Sequence, residues 1–473
     1  MQADLSRPSR AAVEAVLRGL SRELGEHQLF TDPDLLEPYG RDWSGAEPVL
    51  PDLVVKAEST ADVQVVLRTA QTHGVPVTPR GLGSGKAGGC IPIAGGIVLS
   101  LERLNRIKEI DRENLTVTAG AGVITADLMQ EVEALGLFYP PDPNSLKICS
   151  IGGNVACNAG GPRALKYGVT KNYVLELEVV LANGEAMMFG KRTIKHVTGY
   201  DLASLIVGSE GTLGVITEVT MRLVPKPAAI QTALVSFTDA EAASLAVSQV
   251  IAGGVVPRTL ELLDEEALSV IRKKTPGRFP EQAGALFILE TDGSSEERAF
   301  EDLARAAELC QKAGALEIQV AQDAAQRERI WEPRRILSLT LTESAEAKIS
   351  EDVVVPRTQI PQLLRAVRRI GAKYQLRTAT YGHAGDGNLH VNVLFRRAEA
   401  ELGQKAVEEV LKETITLGGT ISGEHGIGLN KRDFLPLEHS LPKLALQRAL
   451  KATLDPHHLL NPGKILPRRG PTE

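Results

Sequence analysis

At 473 residues the chain is long enough for two or three domains, and its 43% hydrophobic and 24% charged content is that of a globular protein. The 53 Lys+Arg against 59 Asp+Glu leave a net charge of −6, which argues against nucleic acid as the main partner. No run approaches the roughly 18 apolar residues of a membrane span and no signal-peptide core opens the chain, so the expectation is a cytoplasmic protein, or one peripheral to the membrane through a partner. Cys90, Cys149, Cys157 and Cys310 show no C-x-x-C spacing. They read neither as a disulfide framework nor as iron–sulfur ligands, which puts any one-electron relay on another chain.

In chain order, SRAAVEAVLRGLSREL at 9–24 predicts an amphipathic helix. PDLVVKA reads as a strand, STADVQVVLRTAQTHG as a helix with Ser59 as N-cap, and VPVTP as a second strand. GGIVLSL and LTVTAGAGV follow as strands, then a helix near TADLMQEVEALG, then LELEVVLANGE with an Asn-Gly hairpin turn. GTLGVITEVTMRLVP is strongly β-forming and runs into the Pro-rich VPKPAAI, which places a domain boundary near residue 226. Beyond it, TALVSF, the helix DAEAASLAVSQVIAGG, ALFILE and the helix SSEERAFEDLARAAELCQKAG predict an α+β domain, a four-strand antiparallel sheet covered by helices. The tail LDPHHLLNPGKILP is Pro-punctuated and irregular. The expected division is therefore 1–226, 227–430, and a C-terminal segment 431–473 that packs back on the first domain.

Between VPVTP and GGIVLSL lies RGLGSGKAGG, which superficially combines two nucleotide-binding signatures. A triphosphate loop needs a glycine five residues before its GK and a Ser or Thr after it; those places hold Arg80 and Ala87. A dinucleotide fingerprint needs a helix to open inside it, and Pro92 with further glycines excludes one. The loop therefore joins strand to strand, where it is either a tight turn or a nest of backbone N–H groups for an anion. Two more glycine clusters, PPDPNSLKICSIGGNVACNAGG at 140–161 and TGYDLASLIVGSEGTLGVITEV, lie in the same domain. Three such clusters let backbone approach a large flat or charged ligand closely, and favour a bound cofactor.

PRGLGSGKAGG, SIGGNVACNAGG followed by YG, GSEGTLGVITEV and the C-terminal DPHHLLNPGKI together resemble the FAD-binding proteins of the vanillyl-alcohol oxidase/p-cresol methylhydroxylase family, over nearly the whole chain from about residue 45. Within it the chain is most similar to the FAD-linked D-2-hydroxy-acid dehydrogenases of the glycolate oxidase flavin subunit, D-lactate dehydrogenase and D-2-hydroxyglutarate dehydrogenase types. The resemblance implies a two-subdomain FAD domain plus an α+β cap domain. It implies that Arg80, Gly81, Leu82, Gly83, Ser84 and Gly85 cradle the FAD pyrophosphate through backbone amides. Pro141, Asp142, Ser145, Ser150, Gly153, Asn154, Asn158 and Gly161 would line the flavin and ribityl chain, Glu210, Gly214 and Ile216 the adenine side, and Asn461 the isoalloxazine. Lys86 departs from the small or apolar residue expected there and is given no phosphate contact. With no His or Cys in 80–86, non-covalent FAD is expected, although Cys149 and Cys157 leave attachment open.

YGHAGDGNLHVNV sets His383 and His390 about a glycine turn, with His390 and Asn392 on one strand face. ISGEHGIG adds Glu424 and His425. Two imidazoles and a carboxylate make a divalent-metal site, for zinc, manganese or iron alike. The resemblance gives the metal to His383, His390 and Glu424 and the general base to His425. A cation must hold the substrate carboxylate; Arg334, Arg335 and Lys348 are the candidates, with Arg334 favoured by its place after Trp331, and Tyr381 and Asn392 could add hydrogen bonds. The implied activity is oxidation of a small D-2-hydroxy acid, glycolate or D-lactate, with an iron–sulfur subunit, electron-transfer flavoprotein, cytochrome or quinone as electron acceptor. The alternatives are a flavin subunit without independent activity, a metal-dependent hydrolase, and a transferase on the same fold.

Overall fold

The computed structural model describes residues 5–468, which fall into two compact units. The first takes in the chain to residue 159, then 169–226, and the chain from 424; the second takes in 160–168 and 227–423.

In the first unit, β1 (Leu29–Phe30), β2 (Leu53–Lys56), β3 (Val77–Arg80) and β4 (Ile97–Ser100) form a sheet of order β1-β2-β4-β3, with β2, β4 and β3 parallel. The helix Thr60–His73 makes the crossover; Ser59 caps it from the side chain, and Gly74 ends it at φ 64°. Val16, Leu20, Val63, Val66, Leu67 and Val77 meet beneath this sheet in one apolar core. The C-terminal tail adds to the β3 edge, where Val77 N–H donates to Leu459 O and Asn461 N–H to Val77 O. A second, antiparallel sheet has the order β5-β6-β10-β8-β9, from β5 (Ile107–Asp111), β6 (Thr116–Gly120), β8 (Val174–Val180), β9 (Ala186–Gly190) and β10 (Val215–Arg222). The Asn183-Gly184 turn joins β8 to β9 with Gly184 at φ 79°. β7 (Leu137–Phe138) and β11 (Val224–Pro225) pair separately.

The glycine loop 81–96 connects β3 to β4 without a helix, as the sequence requires. The second glycine cluster, by contrast, contains a helix, Ile151–Cys157, that runs through Gly152-Gly153. Glycine disfavours helix locally, but here packing demands it. A Cβ on Gly152 would lie 2.5 Å from Ala121 Cβ. Ser150 Oγ accepts from Gly153 N–H at one end, and Asn158 closes the other at φ 52°.

The second unit is built on seven antiparallel strands rather than four: β12 (Ala229–Phe237), β13 (Thr259–Leu263), β14 (Ala285–Gly293), β15 (Glu317–Val320), β16 (Ala347–Val354), β17 (Arg377–His383) and β18 (Asn388–Phe395), in the order β15-β12-β14-β13-β17-β18-β16. The strands TLELL and AKISEDVV escaped the sequence reading because charged side chains interrupt their apolar pattern, although Glu261 and Asp352 are fully buried. Helices Ala240–Ala252, Glu296–Lys312, Ile360–Tyr374 and Ala400–Thr416 pack on one face. Helices Glu265–Lys274 and Ala324–Glu343 cover the other, over Leu263, Leu286, Ile288, Tyr381 and Leu394. The short segment 160–168 belongs to this unit because Lys166 Nζ donates to Asp292 O (2.9 Å) and Tyr167 OH to Asp292 Oδ2 (2.7 Å).

Candidate functional site

Register alone gathers the polar residues of the second unit. Antiparallel pairing sets Glu261 opposite His383, Tyr381 opposite His390, Asp352 opposite His390, and Ser350 opposite Asn392. Cross-strand partners share a face, so Glu261, His383, Tyr381, His390, Asn392 and Asp352 line the same side of the sheet, facing the helix Ala324–Glu343. The imidazoles of His383 and His390 are 5.4 Å apart, nearly perpendicular, and both are buried. Gly423, the last residue of the unit, donates its N–H to Asp352 O at 3.0 Å and Oδ2 at 2.9 Å. Glu424 follows Gly423 directly in the chain. His383, His390 and Glu424 then offer ligand atoms all within 4.8 Å of one another. Two imidazoles and one carboxylate at that spacing fit a divalent cation.

Around this donor set the charges are internally arranged. His383 Nδ1 pairs with Glu261 Oε1, and Arg334 Nε donates to Glu261 Oε2 at 2.5 Å. Burial pushes the Glu261 carboxyl up, but His383 and Arg334 beside it outweigh burial and hold it well below the usual carboxylate range. The Arg334 guanidinium lies 4.8 Å from the Tyr381 ring centroid, a cation–π contact, and Tyr381 in turn lies 5.4 Å from the His390 ring. Arg335, one residue on, is half-exposed and paired with Glu328, a solvated helix-face charge. Lys348 Nζ donates to Ser338 O at 2.9 Å and Ser338 Oγ at 3.3 Å. Asn392 Nδ2 donates to His390 O and Ala379 O, while its buried Oδ1 has no hydrogen-bond partner among the described residues. A buried acceptor left in that state calls for a donor from outside the protein.

In the first unit, several polar side chains of the glycine clusters are used within the protein. The Arg80 guanidinium packs against Gly83 of its own loop and donates to Arg41 O (2.7 Å) and Pro38 O (3.2 Å). Asn154 Nδ2 donates to Thr125 Oγ1, and Asn158 Oδ1 accepts from Lys171 N–H. Asn461 Nδ2 donates to Gly89 O (2.9 Å) and Glu210 O (2.8 Å), while its Oδ1 accepts from Lys464 Nζ. It thus ties the first glycine cluster to the third. The backbone N–H groups of Leu82, Gly83, Ser84 and Gly85, however, donate to no acceptor among the described residues. Gly83 sits at φ 73°, and a Cβ on Gly81 would come within 2.4 Å of Ser150 Oγ. Unhindered successive N–H groups beside a close-packed glycine turn are what an anionic pyrophosphate requires. Pro141 is buried and Ser145 partly so, in the loop that leads into Ser150. Gly161, at φ 138°, goes with the second unit. Gly214 has no room for a Cβ beside Val179, and Ile216 is buried in β10. Burial pushes the Cys90 and Cys157 thiols up, which disfavours the nucleophilic thiolate.

Glu210 has a use that the sequence does not reveal. Its Oε1 accepts from Ile427 N–H (2.7 Å) and its Oε2 from Gly428 N–H (2.9 Å). Both oxygens therefore grip the loop that carries Glu424 and His425. The loop is moulded to the grip: Gly426 and Gly428 take φ 85° and 47°, and a Cβ on Gly428 would lie 2.1 Å from Ala87 O. His425 Nε2 stands 3.8 Å from Glu424 Oε1.

Two family descriptions match this chain, "FAD binding domain" over residues 51–190 and "FAD linked oxidases, C-terminal domain" over residues 226–465. The chain belongs to the FAD-linked oxidases. It is 42% identical over 430 residues to a protein of Bacillus subtilis named glycolate oxidase subunit GlcD, covering 90% of this chain and 91% of that one. It is 36% identical to a D-lactate dehydrogenase of Anaerostipes hadrus (88% and 89% covered) and 34% identical to a D-2-hydroxyglutarate dehydrogenase of Stutzerimonas stutzeri (93% and 96%). Among solved structures, p-cresol methylhydroxylase superposes with a TM-score of 0.78 at 18% identity, covering 97% of both chains, which shows a shared fold. Alkyldihydroxyacetonephosphate synthase does so with a TM-score of 0.75 at 20% identity, covering 98% of this chain and 87% of the other. The p-cresol methylhydroxylase type of α+β fold, an FAD-binding domain with a cap built on a large antiparallel sheet, is thus the fold of this chain. Among the described residues no helix is long and apolar enough to cross a membrane.

Proposed function

We propose that this chain oxidises a small D-2-hydroxy acid, glycolate or D-lactate, to the corresponding 2-oxo acid, using non-covalent FAD and a divalent metal at His383, His390 and Glu424. The observation that carries this reading is the His383, His390 and Glu424 donor set, with Arg334, Tyr381 and the unpartnered Asn392 Oδ1 gathered about its two histidines. The names of the relatives, which act on glycolate, D-lactate and D-2-hydroxyglutarate, support the substrate class. Bound FAD supplies a ring that accepts hydride from the substrate Cα. A bound divalent cation supplies the Lewis acidity that makes a hydroxyl easier to deprotonate.

The residues of the chain divide the remaining work. His425 takes the hydroxyl proton, a task suited to an imidazole near neutral pH. Arg334, its plane fixed through Nε by Glu261, holds the substrate carboxylate in the bidentate geometry that a guanidinium favours, with Lys348 as a second cation. Asn392 and Tyr381 wall the same pocket, Asn392 with a buried acceptor oxygen and Tyr381 with its ring. Residues 80–85 hold the pyrophosphate through backbone N–H groups. Pro141, Asp142, Ser145, Ser150 and Gly153 line the flavin and ribityl chain, with Asn154, Asn158 and Asn461 keeping those loops in shape. Reoxidation falls to a separate acceptor, an iron–sulfur subunit, electron-transfer flavoprotein, cytochrome or quinone; the word "subunit" in the name of the Bacillus relative supports an assembly.

Anaerobic titration of the purified yellow protein with glycolate, D-lactate and D-2-hydroxyglutarate tests the reading through flavin bleaching. Rapid bleaching by glycolate or D-lactate, suppressed by a chelator and restored by metal, is the expected result. A flavin that stays oxidised with all three acids would overturn it.

A further inference from the structure

We propose that Glu261 is a positioning residue that couples the metal ligand His383 to the substrate-binding Arg334. The inference rests on the metal-site reading above and deepens it. Glu261 has no exposed side-chain surface and lies on β13, the central strand of the seven. Its two carboxylate oxygens are divided between two partners: Oε1 meets His383 Nδ1, and Oε2 accepts from Arg334 Nε. A carboxylate beside a guanidinium can only accept, so the proton of the imidazole sits on Nδ1 and the Nε2 lone pair is the one left for a cation. A carboxylate behind a ligating histidine fixes tautomer and ring orientation and raises ligand basicity.

The second oxygen does the same for substrate binding. Arg334 sits one turn after Trp331 on the helix Ala324–Glu343, and Trp331 Nε1 donates to Glu290 Oε1 at 2.8 Å. Residues three apart on a helix share a face, so two buried carboxylates, Glu290 and Glu261, pin this helix to the sheet at successive positions. Thr232 Oγ1 and Trp331 both donate to Glu290 Oε1, which completes the first anchor. Glu261 completes the second, and it reaches His383 as well. A shift of Arg334 on carboxylate binding is thereby transmitted through one side chain to the orientation of His383.

The test uses the full-length flavoprotein, stripped of metal by a chelator and titrated calorimetrically with Zn²⁺ and with Mn²⁺. Glu261→Gln keeps the shape of the side chain but cannot serve both partners as an acceptor. Its metal Kd is expected to weaken roughly 10- to 100-fold, with KM for the hydroxy acid rising more than kcat falls. Glu261→Gln/Arg334→Gln removes the buried cation that the single variant leaves uncompensated, so it reads the His383 contact even if the single variant folds poorly. The same loss of metal affinity is expected in it. Unchanged Kd in both variants, whatever happens to their melting temperatures, would reduce Glu261 to a structural ion-pair partner and overturn the proposal. A wild-type protein that binds neither metal would overturn the donor-set reading and this proposal together, whereas equal Kd values overturn only the role of Glu261.

Discussion

Replacing Glu210 by glutamine tests how the loop bearing Glu424 and His425 is held. Burial pushes the Glu210 carboxyl up to about 7, although the N–H groups of Ile427 and Gly428 and the Lys464 ammonium pull it back. The folded chain therefore holds a proton on Glu210 between the ordinary carboxyl range and about pH 7 that the unfolded chain has released. The stabilising contribution is complete below about pH 4.5 and lost as pH rises to about 7. At about 1.4 kcal/mol per pH unit, the loss is about 3 kcal/mol. Glu210→Gln cannot titrate, so its stability lacks this fall. Urea unfolding of the flavoprotein at pH 5, 6, 7 and 8 measures the gap between wild type and variant, in which the contribution of Asp264 cancels to first order because its titration is not coupled to Glu210. The wild type should lead at pH 5, where the protonated acid keeps its fit, and lose about 3 kcal/mol of that lead by pH 8. Parallel stability profiles would mean that the two N–H donors offset burial in full, and would refute the raised Glu210 carboxyl.

His425→Ala should retain FAD absorbance while slowing flavin reduction by hydroxy acid on the order of 10²- to 10⁴-fold; stopped-flow reduction at the wild-type rate would remove His425 as the base. Gly152→Ala would gain helix propensity, but its Cβ would meet Ala121 Cβ at 2.5 Å and Ala121 backbone at 2.9 Å. Overpacking of that kind costs about 1–3 kcal/mol, so a lower melting temperature and a reduced FAD content after gel filtration are expected. A variant as stable and as yellow as the wild type would show that the Ile151–Cys157 helix has slack that the packing does not suggest.

What the sequence determined is the chemistry it can hold. Gly83, Gly85 and Gly88 with Pro92 already excluded a helix after the loop, and the structure runs from β3 to β4 without one. The grouping of His383 and His390, set about a glycine turn, with Glu424 between glycines was legible because period-two alternation and glycine flanks are local properties of the chain. The α+β alternation beyond residue 226 was legible for the same reason. Three things were decided only in the folded molecule. Glu261 reads as an ordinary charge in TLELL, and only the β13–β17 register sets it against His383. The charged residues of AKISEDVV hid a strand, since pattern reading cannot know that a neighbour satisfies a buried acid. Glu210 and Asn461 looked like ligand contacts, but each directs its side chain to backbone groups more than 200 residues away in sequence. Periodicity reports which face a residue occupies. Which partner waits across that face depends on long-range pairing, and here that pairing turns scattered acids into the supports of a site.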